Sequence, residues 1–185
     1  MRKGKRFVLL VVVVLLILLF GGCVFTRFTH ATLVEKMIGS AREYLANNYP
    51  QYDMQLFAVF AQKAEVPELF SSADELAYWK FVFSDWSDTM QSVEVHCVDG
   101  VWTSEVIDSV WGEDEFLSDP IYILFDIQDA INVIANKFPG TYYYGVYFHL
   151  PLSPETNHPE YKFHRDSMDF VIFNSVTGEF AVSGT

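Results

Sequence analysis

The sequence predicts an α+β protein: an N-terminal membrane helix, then two units that each place a helix on an antiparallel sheet. Three observations lead there. Residues 7–26 are uncharged and follow Arg2, Lys3, Lys5 and Arg6. Helical and strand-like periodicities then alternate in the order helix, strands, helix, strands. Finally, "NNYPQYDMQLFAVF" (47–60) and "NKFPGTYYYGVYFH" (136–149) end two helices and begin two strands in nearly the same way.

The N-terminal segment comes first. Twenty residues at a helical rise of 1.5 Å span about 30 Å, the hydrocarbon thickness of a bilayer. The basic cluster before it predicts a cytoplasmic N-terminus, with the C-terminal part of a single-pass protein outside the cytoplasm. Two readings of the segment's end stand open. It is a retained signal anchor over 1–26, or "LFGGC" is the lipobox of a bacterial lipoprotein and Cys23 carries the lipid. Both predict attachment to the cell envelope.

A first α+β unit is expected over 27–107. Thr32 and Glu35 have the spacing of a capping box. Leu33, Val34, Met37, Ile38, Ala41, Tyr44 and Leu45 recur at helical spacing, and Pro50 predicts the stop. The strands "MQLFAVFAQKA", "AYWKFVFSD", "SVEVHCV" and "VWTSEVI" follow, the last two joined at Asp99-Gly100, a strong hairpin signal. Residues 108–120 are acidic and read as a connector. A second unit is expected over 121–185. It has a short strand "IYILF" and a helix capped by Asp126 that carries Ile127, Ala130, Ile131 and Ile134 on one face. The strands "TYYYGVYFHL", "EYKFH", "MDFVIFN" and "EFAVS" complete it. Duplication of one unit accounts for the two matching passages. Two units sharing a face would ease the marginal burial of each alone.

The second unit resembles the PepSY domain of secreted proteins and peptidase propeptides. The residues that carry the resemblance are Ala130, Ile131 and Ala135 on the helix and the Thr177-Gly178-Glu179 turn, within 126–183. Cystatin-like folds share the helix-on-sheet plan. The resemblance implies an extracytoplasmic regulatory or inhibitory module whose partner is an envelope protein or peptidase.

Composition narrows the chemistry. All 24 acidic residues but only eight of the 12 basic ones lie beyond residue 23, so that part carries a formal charge of −16. Such a body repels phosphate backbones, and nucleic acid is excluded as a partner. Aromatic residues make up 17% of the chain, enough apolar payload to argue for a packed core rather than disorder. Cys97 alternates with Val93 and Val95 and reads as a buried apolar residue.

No nucleophile elbow, zincin helix, paired-cysteine motif or phosphate loop is present, and no cofactor is expected. The best polar constellation is His149, His158, His164, Asp166 and Asp169. Imidazole with carboxylate suits zinc, which makes His149, His164 and Asp169 the metal candidates. Asp85 and Asp88 flank Trp86 in a polar turn, and Glu113 to Glu115 lack the alternation of a calcium loop. The aromatic run 142–148 reads as core or inter-unit packing, or, through Tyr142, Tyr144 and Tyr147, as a groove for a peptide or glycan strand, with strand addition at a sheet edge the mode for a peptide. The expectation is a non-catalytic binding or regulatory module. The alternatives are a small-ligand or cell-wall binder, and a metal-dependent hydrolase around His149 and His164.

Overall fold

A computed structural model describes residues 31–85, 91–108, 114–118, 120–152, 157–165 and 169–183. Helix α1 runs from Leu33 to Asn48 and buries Val34, Ile38, Ala41 and Leu45, one stripe at three- and four-residue spacing. Its first amide, Leu33 N–H, donates to Asp126 Oδ2 at 2.6 Å. Its end is closed by Tyr49 N–H on Leu45 O at 2.7 Å, immediately before Pro50.

Strands β1 (Gln55–Gln62), β2 (Tyr78–Ser84), β3 (Ser92–Val98) and β4 (Val101–Ile107) form an antiparallel meander. Asp99 and Gly100 have φ of +49° and +80°, the two positive values of a type I′ turn. That turn pairs Val98 with Val101 and so sets the register down to Ser92 and Ile107. The short strand β5 is Asp114–Glu115. Helix α2, Ile127–Lys137, is opened by Asp126 in a capping box with Asp129. It buries Ile127, Ala130, Ile131 and Ile134. Strands β6 (Gly145–Pro151), β7 (Glu160–His164), β8 (Phe170–Asn174) and β9 (Phe180–Val182) make a second meander.

These strands do not form two units. The order β4-β3-β2-β1-β6-β7-β8-β9 is one antiparallel sheet, joined where β1 pairs with β6 from Ala58↔His149 to Ala61↔Val146. The predicted pair of helix-plus-sheet units, PepSY- or cystatin-like and duplicated, is corrected on that finding. The physical reason is edge satisfaction. Each meander begins with an apolar strand whose backbone groups need partners on both sides, and each strand supplies the other's missing ladder. One apolar core follows, holding Val34 and Ile38 of α1, Ile127 and Ile134 of α2, and Phe81, Val95, Phe148, Phe163 and Phe173 of the sheet.

Two smaller expectations also change. The acidic stretch is tied to the fold: β5 pairs with β6, Leu117 is buried, and its N–H donates to Leu56 O. "IYILF" is not a strand, because Leu124 and Phe125 N–H both donate to one acceptor, Ser175 O.

The membrane assignment is corrected as well. Among the described residues no helix is long and apolar enough to cross a membrane. Helix α1 has 16 residues and α2 has 11, each with one polar face. The structure therefore does not support a transmembrane, single-pass protein with its C-terminal part outside. The segment that prompted this reading, and Cys23 with its lipid, lie outside the described residues.

Candidate functional site

Side chains alternate across the sheet, so the helices cover one face and leave a second row of residues on the other. The cross-strand register places Thr103, His96, Lys80, Phe60, Tyr147, Lys162 and Ile172 in one line on that outer face. Lys80 Nζ lies 4.8 Å from the Phe60 ring centroid. Phe60 stacks on Tyr147 at 4.5 Å, and Tyr147 stacks on His149 at 4.4 Å. Beneath them Phe57, Ala58 and Val82 form a small second apolar cluster, against which Phe116 closes. The adjoining line runs through Glu105, Glu94, Val82, Ala58, His149 and Glu160.

At the β4 end this face becomes polar. Glu94 is buried although charged, and Lys80 Nζ donates to its Oε1 at 3.3 Å. His96 Nε2 stands 3.5 Å from Glu94 Oε2 and 3.7 Å from Glu105 Oε1. Its Nδ1 is 3.0 Å from the Tyr78 hydroxyl. Burial pushes the Tyr78 hydroxyl up, and the carboxylates of Glu65, Glu94 and Glu105 add to the shift. Beside this group lies a hollow of about 290 Å³ whose lining includes Glu65, Tyr78, His96, Thr103 and Glu105.

The two ends of the sheet differ. Strand β4 is seven residues long, and no described strand pairs with its outer side. In the type I′ hairpin Val98 and Val101 exchange both hydrogen bonds, and such pairs alternate along the ladder. Thr103 and Glu105 therefore point their backbone groups at β3, while Trp102, Ser104 and Val106 point theirs outward. Val101 is 64% and Val106 44% exposed. Trp102 and Ser104 are anchored from beneath: Trp102 stacks on Tyr44 and Phe81, and Ser104 Oγ is 2.9 Å from the Tyr49 hydroxyl. Strand β9, at the opposite end, has three residues.

The structure separates the histidines singled out by spacing. The β6–β7 register pairs Gly145 with His164 and His149 with Glu160. His149 and His164 are thus four positions apart along the ladder, about 13 Å. Asp169 is instead ion-paired with Arg165. His158 lies in the loop before β7, and Asp166 lies outside the described residues. Burial pushes the Glu160 carboxyl up, and the nearby His149 opposes it. Tyr142 and Tyr144 are exposed ahead of β6, whereas Tyr147 belongs to the outer-face row. Cys97 is buried on the core face opposite Trp79 and Trp102, and burial pushes its thiol up, away from the reactive thiolate. Asp85 is buried at the end of β2, while Trp86 and Asp88 lie outside the described residues.

The group at Tyr78, Lys80, Glu94, His96 and Glu105 was not anticipated. Half its signal was present in the sequence. A two-residue turn at Asp99-Gly100 pairs position 94 with position 105, and Glu94-x-His96 is a polar alternation within an apolar strand.

No family model, no curated protein and no solved structure matches this chain. The PepSY resemblance rests on the residues quoted for it.

Proposed function

We propose that this protein is a non-catalytic binding module that takes an extended segment of a partner protein as an added strand on β4. One observation carries the reading: the sheet ends there in seven residues with outward backbone groups and no further strand among the described residues. Sheets usually protect such an edge with lysine, proline, a bulge or brevity. The strand "VWTSEVI" has no lysine, proline or glycine, and its single charge is Glu105. Trp102, Ser104 and Val106 offer the main-chain ladder that strand addition uses, and alternate side chains supply the selectivity. The carboxylates of Glu105 and Glu65 and a net charge of −12 favour a segment carrying basic residues at alternate positions.

A displayed library of extended peptides, selected on the full chain, tests this. Enrichment of sequences with alternating basic residues supports the reading, provided that Val106→Pro abolishes binding and the amides of Trp102, Ser104 and Val106 gain exchange protection. Enrichment that survives Val106→Pro, or none, overturns it.

A further inference from the structure

We propose that Glu94, His96 and Glu105 form a binding site for a divalent first-row transition metal, with zinc the best fit. The three donors come from two neighbouring strands. The β3–β4 register sets Glu94 directly opposite Glu105, and His96 projects from the same face one alternation along. One oxygen or nitrogen from each lies within 4.8 Å of the other two.

The distances leave room for an ion between the donors. His96 Nε2 is 3.5 Å from one carboxylate and 3.7 Å from the other. Both separations are too long for a hydrogen bond, which holds N and O at about 2.7–3.2 Å. Ligand atoms bound at about 2.1 Å around a tetrahedral ion stand about 3.4 Å apart. The two edges that meet at His96 Nε2 are close to that spacing, and the third, between the carboxylates, is no longer than 4.8 Å.

The surroundings agree. Two carboxylates stand in register on adjacent strands, one of them buried, so a cation between them is attracted by both. Lys80 donates to Oε1 of Glu94, and Oε2 is the oxygen that faces His96. The Tyr78 hydroxyl at Nδ1 is the outer partner that a metal-bound imidazole requires, since it holds the ring with Nε2 facing the carboxylates. A mixed nitrogen and oxygen set suits zinc and its neighbours rather than calcium or magnesium, which take oxygen alone. Three protein ligands leave a fourth position, and the adjoining hollow of about 290 Å³ gives it access to water or a small ligand.

The test is calorimetric titration of the full chain with zinc chloride, repeated with magnesium chloride. The expected result is saturable one-to-one zinc binding, a rise in Tm with zinc, and little response to magnesium. Glu105→Gln and His96→Gln should each weaken binding at least about tenfold, and Tyr78→Phe by about tenfold or more, the cost of losing an outer partner. His149→Gln should leave it unchanged. Should His96→Gln fail to fold, Glu105→Gln decides the question, because that side chain is 64% exposed. Absence of saturable zinc binding overturns the proposal. So does binding that survives Glu105→Gln, or binding lost with His149→Gln.

Discussion

The two ends of the sheet solve the edge problem in opposite ways. At one end β9 has three residues, and side chains pack on its face and tie it to β8. Phe180 stacks on Phe173 and meets Phe138 edge-on, Lys137 lies over it at 5.3 Å, and Ser183 ties back to Phe170 through N–H and hydroxyl. At the other end β4 keeps seven extended residues, anchored from beneath by Trp102 and Ser104 but open sideways. The two edge strands thus differ in length, three residues against seven, and in what packs around them.

The comparison can be broken most forcefully at the closed end. Phe173 is fully buried and touches Phe125, Tyr161 and Phe180. Phe173→Ala should cost about 3–5 kcal/mol of stability by urea unfolding. A cost below about 1 kcal/mol would mean that side-chain packing does not hold this end.

The open end is probed by two prolines one face apart. Thr103→Pro removes an N–H that points at β3, and should destabilise by about 2 kcal/mol as a ladder bond is lost. Val106→Pro removes an N–H that points outward, and should change stability by no more than about 0.5 kcal/mol while abolishing strand addition. Equal costs in denaturant unfolding would refute the assigned direction of the β4 backbone groups.

A smaller effect sharpens the account of the closed half. Tyr161 is buried, and among the described residues its hydroxyl has no hydrogen-bond partner. Burial pushes that hydroxyl well up, and the carboxylates of Asp126, Glu35 and Asp129 act in the same direction. Tyr161→Phe should stabilise by about 1 kcal/mol, since the desolvation cost of an unsatisfied group disappears. A loss of stability would reveal a partner for the hydroxyl.

The smallest effect is a pH dependence at the end of β7. His164 is exposed at the end of β7, but desolvation by its neighbours, and then the charge of Lys162, hold its pKa below 6.5. The folded state thus binds this proton less readily than the unfolded chain does. The stability tied to the neutral ring is present above pH 6.5 and is lost as pH falls through that value towards the folded pKa. His164→Gln should flatten urea midpoints between about pH 7 and 5. An unchanged slope would assign the effect elsewhere.

Much of the local structure was legible in the sequence, and particular residues show why. Pro50 and the apolar stripe of α1 bounded that helix, and Asp126 marked the start of α2. Asp99-Gly100 set the β3–β4 hairpin because only a short list of residues accepts two consecutive positive φ values. The strand "IYILF" was misread, because its apolar composition fits a strand while its backbone bonds go to the Ser175 carbonyl. The separation of two of the metal candidates has a related reason. His149 and His164 are close in sequence, yet the β6–β7 register sends them to opposite ends of the ladder.

By itself, then, the sequence determined the helices, the tight turns and which strand positions are apolar, since each follows from a propensity or a period within a few residues. Only the tertiary structure decided that β1 pairs with β6, that the two meanders share one sheet and one core, and that Tyr78, Lys80, Glu94, His96 and Glu105 meet on its outer face. The physical reason is that pairing between strands distant in the chain depends on which edges remain unsatisfied once every local element has formed. No short window of sequence contains that information.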